Sequence, residues 1–512
     1  MGYLMGIDVA TTGTKCIIAD EDGRIVSSAT TEYPLLSPHP GWAEQDPGDW
    51  WDATVSSIRG SLTQAGIGGE SIDGIGLTGQ MHSSVFLNER WEVLRPAILW
   101  CDQRTGEQVD EIHRLFGRER FIHLTCNPVL TGFTLPKILW LREREPQTYR
   151  KVKKLLLPKD YIRFKLTGEF ATDVSDASGT SLFNIRERRW SDEVADGLEI
   201  DKNLFPRVYE SSHITGRITQ SAAELTGLKA GIPVVAGAGD QAASALSCGI
   251  YREGVVSVTL GTSGVVFAST DTVKIAPDGK LHSFCHAVEG KWHLMGVMLS
   301  AGGSFKWICE SLGSKEMKEA EGPQKSLYDI MTQEAEEVPA GSEGLVFLPY
   351  LTGERTPHQD PHARGVFFGL SLRHTRAHLI RAVMEGVGFG LKDSLKLLKD
   401  VGIEIEQIRL VGGGAKSKLW RSILADIFES PIHTLQVEAG APYGALLLAG
   451  VGVGTYKNVE DACRVMKTGT VEALGVENKP LYRDLYALYR RLYLDLKDSF
   501  REISKALSES KQ

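Results

Sequence analysis

The sequence predicts an α/β fold built as two large halves around a cleft, on three observations. A strand–turn–strand unit with a small, hydroxyl-rich turn occurs near Asp8 and again near Thr262. Other apolar strands exit into glycine-bearing loops that lead into helices, where α/β sheets place ligands. The 512 residues are 42% hydrophobic and 24% charged, the balance of a globular chain with a large core. Length alone allows about three domains, but the repeat favours two, expected at residues 1–248 and 254–512.

The first unit runs from the apolar residues 4–7 through Asp8-Val9-Ala10-Thr11-Thr12-Gly13-Thr14-Lys15 into the apolar residues 16–19, and a third strand reaches Tyr33. A turn between strands leaves N–H groups unpaired; glycine lets it curl, threonine hydroxyls add donors and lysine adds charge. Such a turn suits a phosphate, and Asp8 at the end of a buried strand is placed to hold a metal ion. An ordinary polar hairpin is the alternative. The second copy, residues 255–260, Gly261-Thr262-Ser263-Gly264 and residues 265–268, supports the phosphate reading, with Thr259 opposite Asp8. Neither copy has the P-loop or dinucleotide glycine spacing.

Residues 34–47 read as a loop, and a helix is expected from Asp49 through Trp50, Val55 and Ile58. A strand from Ile72 then opens into Gly79-Gln80-Met81-His82. Helices follow over 105–116 and 136–144. The first half closes with strand 234–236, the loop Gly237-Ala238-Gly239-Asp240 and helix 241–248, and the chain crosses into the second half over 250–254. Apolar residues at 379, 380, 383, 384, 387, 391, 395 and 398 give a helix over 377–399. Gly386, Gly388 and Gly390 within it imply close packing against another backbone. Strand 408–411 runs into Gly412-Gly413-Gly414-Ala415-Lys416-Ser417 before a helix opens near Trp420. Leu485, Tyr489, Leu492, Leu496 and Phe500 mark a C-terminal amphipathic helix.

With 57 basic and 65 acidic residues the chain carries −8, which argues against nonspecific nucleic-acid binding and favours small-molecule partners. The first six residues lack a basic leader region, and residues 444–454 are too short to span a bilayer. A cytoplasmic location without membrane attachment is expected, and a homodimer is compatible with it. Seven scattered cysteines without paired spacing read as reduced core residues.

Asp8 with its hairpin, the second hairpin, Asp240 on its glycine loop and the later glycine loop together resemble the FGGY family of carbohydrate kinases. Trp100-Cys101-Asp102-Gln103-Arg104, residues 134–141 and residues 365–385 extend the match over nearly the whole chain. The resemblance implies two ribonuclease-H-like domains, similar to actin and hexokinase, with ATP and Mg²⁺ in the cleft. It implies phosphoryl transfer to a sugar hydroxyl, with Asp240 as general base and Asp8 as metal carboxylate. Phosphate contacts fall on Thr11, Thr12, Gly13, Lys15 and Thr262, and Gly302, Lys306, Gly413 and Ser417 surround the rest of the nucleotide. Met81, His82, Gln241, Asp102 and Arg104 join Asp240 as sugar-binding candidates, although Asp102 and Arg104 also suit a structural ion pair. Residues 79–82 and 412–417 most resemble the D-xylulose-specific branch, implying transfer to O5. The alternatives are gluconate, glycerol, ribulose or a rarer ketose as substrate, or a non-catalytic nucleotide-gated binding protein.

Overall fold

The computed structural model describes residues 2–313, 326–436, 439–472 and 477–509. Two seven-stranded sheets carry the repeat. The first comprises β1 (Tyr3–Val9), β2 (Gly13–Asp20), β3 (Ile25–Glu32), β4 (Ile72–Gly79), β5 (Ile214–Arg217), β6 (Pro233–Val235) and β7 (Ala238–Gly239). Its order is β5-β6-β4-β1-β2-β3, with β7 also paired to β4. The second comprises β8 (Val255–Leu260), β9 (Gly264–Thr270), β10 (His282–Cys285), β11 (Trp292–Met298), β12 (Gln407–Val411), β13 (Ile432–Leu435) and β14 (Thr468–Glu472), in the order β10-β11-β9-β8-β12-β13-β14. In each sheet an antiparallel hairpin stands beside a parallel strand: β1 pairs with β2 and β4, and β8 with β9 and β12. The expected pair of ribonuclease-H-like α/β halves is thus present. Both faces of β1 are buried, with Leu4, Met5, Ile7 and Val9 inside, as expected of a strand covered on both sides.

Helix α1 (Pro47–Ala65) begins two residues earlier than the sequence suggests. Proline takes the first helical position, where no N–H is needed, and Asp46 caps it by accepting from Gly48 N at 2.8 Å. The first half also contains α2 (Gly106–Phe116), α3 (Arg118–Thr125), α4 (Thr134–Arg144), α5 (Pro158–Thr167), α6 (Val174–Ala177), α7 (Gln220–Thr226) and α8 (Asp240–Ser247). Helices α9 (Gly302–Leu312), α10 (Arg376–Asp400), α11 (Lys418–Phe428), α12 (Ala441–Gly452) and α13 (Lys479–Glu509) belong to the second half by sequence.

Two helices exchange sides. Helix α12, apolar all round, lies in one core cluster with Leu4, Ile17 and Ala19 of the first sheet and with Ala242, Ala243 and Leu246 of α8. Glycines permit the approach. A Cβ on Gly6 would lie 1.9 Å from Pro442 O, one on Gly76 1.8 Å from Ala445 O, and one on Gly444 1.8 Å from Ala243 O. In return, Ala245 of α8 clusters with Val255, Phe267, Val411 and Leu435 of the second sheet. The apolar stretch near residue 444 is therefore an interior helix, and among the described residues no helix is long and apolar enough to cross a membrane. Of the α10 glycines, only Gly386 abuts backbone, at Phe347 O; Gly388 and Gly390 meet the side chains of Ile427 and Met298. All seven cysteines are free, and all but Cys101 are buried.

Candidate active site

Two hairpin turns face the space between the sheets. The first, residues 10–13, is closed by a bond from Ala10 N to Gly13 O at 3.1 Å; the second, residues 261–263, by one from Gly261 N to Ser263 O at 3.1 Å. Their flanking pairs, Val9 with Thr14 and Leu260 with Gly264, make the second turn one residue shorter. Thr259 still stands where the first copy has Asp8, one residue before the last pair. The glycine of the first turn has a role other than curling. Gly13 does not have a positive φ, and a Cβ there would lie 2.8 Å from Thr31 O, so its bareness lets β3 approach.

A cleft of about 420 Å³ is lined by Lys15 and Gln241 from the first half and by Thr259, Ser263, Gly412 and Gly440 from the second. An adjoining cavity of about 790 Å³ is lined by Thr262, Gly302, Lys306, Gly413 and Ser417, with Phe305, Tyr328 and Trp420. The Thr11 hydroxyl accepts from Trp100 Nε1 at 3.0 Å, and Thr12 is exposed. The first N–H groups of α9 are committed to the second turn: Gly302 N donates to Gly261 O at 2.7 Å and Gly303 N to Thr262 O at 3.0 Å. Lys306 is largely exposed and lies 3.7 Å from Glu310. Ser417 caps α11 by accepting from Trp420 N at 3.2 Å. Positive φ belongs to Gly412 (94°), whose Cβ would lie 2.8 Å from Leu260 O. At Gly413 a Cβ would meet nothing within 4 Å and would point into open space.

Asp8 is the next-to-last residue of β1 and Asp240 opens α8 as its first helical residue, with Gly239 in the cap position. Burial chiefly pushes the Asp8 carboxyl up to about 7; the charge on Asp240 raises it further and Lys15 draws it down. Burial pushes Asp240 up to about 6, against hydrogen bonds from the backbone and side chain of Gln241. The Asp8 Oδ1 atom is buried with no hydrogen-bond partner among the described residues.

The loop after β4 places Met81 against Gly239, the residue before Asp240, and His82 against Gly179. A Cβ on Gly239 would lie 3.0 Å from the Met81 sulfur, so Met81 forms the wall behind the residue that precedes Asp240. His82 has φ 68°, stacks on Phe133 at 4.3 Å, and holds Gly179 O through Nδ1 at 2.6 Å. A carbonyl only accepts, so Nδ1 carries the proton and Nε2 presents a lone pair. Burial lowers the imidazole to about 3, which keeps it neutral. Thr134 Oγ1 and Lys137 Nζ donate to His82 O at 2.9 and 3.0 Å, fixing the loop from below.

Asp102 and Arg104 do not present free groups to the cleft. Arg104 donates to both oxygens of Asp102 at 2.7–3.0 Å, and Asp102 also accepts from Ala43 N at 2.7 Å. Arg104 reaches Glu44 at 2.7 Å and lies over the rings of Trp42 and Trp140, at 3.5 and 4.8 Å. The pair braces the segment that carries Trp100, which is the structural ion-pair role that the sequence also allows for it. Other residues gather at the site without having been singled out. Trp100 itself is half-exposed and bonded to the first hairpin. Arg355 is largely buried with no ion pair or side-chain hydrogen bond among the described residues, and its charge bears on His82 and His282. Thr356 ties its loop to β11, donating from its N to Val297 O and accepting from Val297 N, both at 3.0 Å.

Comparison with known proteins agrees with this arrangement of two sheets and a shared cleft. The N-terminal domain model of the FGGY family of carbohydrate kinases matches residues 3–247, and its C-terminal domain model residues 256–453. A xylulose kinase of Escherichia coli (strain K12) is 37% identical, covering 96% of this chain and 99% of its own. One of Lactococcus lactis is 39% identical over 96% and 97%. The crystal structure of a xylulose kinase from Rhodospirillum rubrum aligns with a TM-score of 0.89 at 32% identity, covering 98% of this chain and all 100% of its own. A gluconate kinase from Lactobacillus acidophilus aligns at 0.90 with 29% identity, over 98% and 99%. Matched along both halves, and sharing their fold from end to end, the chain belongs to the FGGY family of carbohydrate kinases.

Proposed function

We propose that this protein transfers the γ-phosphoryl group of ATP to O5 of D-xylulose, with the sugar and base held by residues 1–248 and the nucleotide by residues 254–512. The observation that carries the reading is the pair of half-buried carboxylates, Asp8 and Asp240, whose neighbours Lys15 and Gln241 line a cleft with the second hairpin as its other wall. The names of the full-length relatives favour D-xylulose.

Asp240 accepts the O5 proton as the bond from O5 to phosphorus forms and the bond from phosphorus to the ADP oxygen breaks. In a loose transition state its positioning matters as much as its basicity. Gln241 fixes the carboxylate, and the His82 Nε2 lone pair accepts a sugar hydroxyl. Lys15, Thr11, Thr12, Gly13 and Thr262 contact the phosphates, and Gly413 leaves room for the nucleoside. The unpartnered Asp8 Oδ1 fits a Mg²⁺ ion, which takes oxygen ligands and is held by one or two carboxylates together with substrate phosphates. Among the described residues no group of three or more metal-ligating side chains competes for that role. When bound, the ion would neutralise charge on the phosphate oxygens.

The unpaired Arg355 near His82 favours a second reading, a sugar acid, in line with the gluconate kinase of the same fold. A coupled ADP-release assay over ketoses, polyols and sugar acids separates the two. D-Xylulose is expected to give the highest kcat/KM; a tenfold advantage for gluconate, glycerol or ribulose would overturn the substrate while leaving the kinase.

A further inference from the structure

Behind Asp240 lies a buried group of charges that contacts neither ligand cavity. Lys159 is fully buried, with its ammonium 2.6 Å from Asp160, 3.0 Å from Asp173 and 3.4 Å from Asp176. Asp173 accepts from Ser175 Oγ at 2.5 Å and from Ser211 Oγ at 3.0 Å. Ser175 Oγ, its proton committed to Asp173, accepts from Gly239 N at 3.0 Å, and Gly239 is the residue before Asp240. Arg163 grips the end of the preceding strand, β6, donating to Val235 O at 2.6 Å and to Ala236 O. A buried ion cluster is weak evidence for stability, because desolvation offsets much of the attraction. A cluster joined by consecutive hydrogen bonds to one backbone N–H instead fixes where that backbone lies.

From this chain of contacts we propose that Ser175, held by Asp173 and Lys159, is a positioning residue for phosphoryl transfer, setting the place of the Asp240 carboxylate through the Gly239 N–H. The proposal rests on Asp240 being the base. Without the Ser175 oxygen, Gly239 N–H lies buried and unbonded, and the loop shifts to find a partner. Misplacement of a reacting group by about 1 Å is enough to slow a reaction by about 10²-fold. Neither the sugar-loop contacts of His82 nor the nucleotide cavity is attached to Ser175, so binding is left in place.

The test compares Ser175→Ala, Ser175→Thr, Asp240→Asn and their combination, with Thr226→Ala as control. Thr226 in α7 also has a buried hydroxyl that accepts a backbone N–H, from Leu228 at 3.3 Å, and α7 carries none of the candidate site residues. For Ser175→Ala, kcat should fall about 10- to 100-fold with the sugar KM within about threefold. Ser175→Thr, which keeps the oxygen, should recover most of the loss. In the Asp240→Asn background, Ser175→Ala should cost no further turnover. Thr226→Ala should lower the thermal midpoint and leave kcat near wild type. If Ser175→Ala resembles Thr226→Ala, losing midpoint and not kcat while Asp240→Asn is inactive, the positioning role is overturned and the base assignment stands. An active Asp240→Asn overturns the base assignment itself.

Discussion

Asp240 stands close enough to Asp8 for its negative charge to add to burial in raising the Asp8 carboxyl to about 7, while Asp240 itself rises to about 6. The two acids enter from different elements, Asp8 near the end of a strand and Asp240 at the start of a helix. An empty cleft therefore holds two carboxyls that resist joint ionisation, and a bound cation would relieve both.

Replacing Asp240 by Asn preserves size and removes the proton acceptor. Turnover should fall about 10²- to 10⁴-fold while sugar binding persists within a few-fold. The thermal midpoint should hold, because Gly239 and not Asp240 occupies the cap position of α8. Near-wild-type turnover, measured beside that midpoint, would remove Asp240 from the mechanism.

The acidic limb of the pH–rate profile should follow Asp240. Its proton must be lost before it can act as base, so kcat/KM for the sugar should decline as pH drops through about 6. A profile flat down to pH 4.5 would contradict this.

Stability should carry the signature of Asp8. Its carboxyl is raised from 3.8 to about 7, so between those values the folded chain keeps a proton that the unfolded chain releases. Stability from this group is present at low pH and is lost as pH rises through about 7. Without nucleotide, Asp8→Asn should therefore raise the thermal midpoint at pH 8, and the advantage should be smaller at pH 5 and vanish only below about 4. An advantage that is equal at both pH values would show that the Asp8 charge is not what the fold strains against.

Gly412 and Gly413 should part company. Gly413→Val adds a side chain into the open nucleotide cavity, so ATP affinity should drop while the thermal midpoint and sugar affinity hold. Gly412→Ala forces a Cβ onto a φ of 94° and against Leu260 O, so the fold itself should weaken. Calorimetry with each ligand and a thermal scan distinguish the outcomes; equal loss of both ligands in Gly413→Val would argue for misfolding.

Arg104→Ala leaves Asp102 buried without its cation and should destabilise by about 3–5 kcal/mol. The sugar KM should rise less than the midpoint falls, because the pair touches Trp42, Glu44 and Trp140 and leaves the cleft to Trp100. A pure KM effect with unchanged midpoint would restore the sugar-contact role.

What the sequence reveals and what it conceals divide along chain distance. The hairpins at Asp8 and Thr262 are legible because apolar runs and turn residues are adjacent in sequence, and the repeat of that pattern declares two halves. The Asp102–Arg104 ion pair is legible as one of two alternatives, but what it braces is not, because its partners come from two distant segments, one carrying Trp42 and Glu44 and the other Trp140. Arg355 gives no local sign of facing His82, since a packed loop brings them together. Gly13 and Gly413 show a subtler gap: a glycine in a loop announces freedom, and only the neighbours tell whether it serves a turn, a close strand or an open cavity.

The exchanged helices carry a consequence for how the chain must be made. The face of the first sheet bearing Gly6 and Gly76 is covered by α12, which is not synthesised until residues 441–452 emerge. Until then the strands near the N-terminus have no lid over one apolar side, and a nascent chain is exposed to aggregation for most of its translation. Cutting the gene between the halves should give an N-terminal fragment that is insoluble alone and recovers when the C-terminal fragment is co-expressed. The intact protein should melt as one unit, since neither sheet is closed without a helix lent by the other.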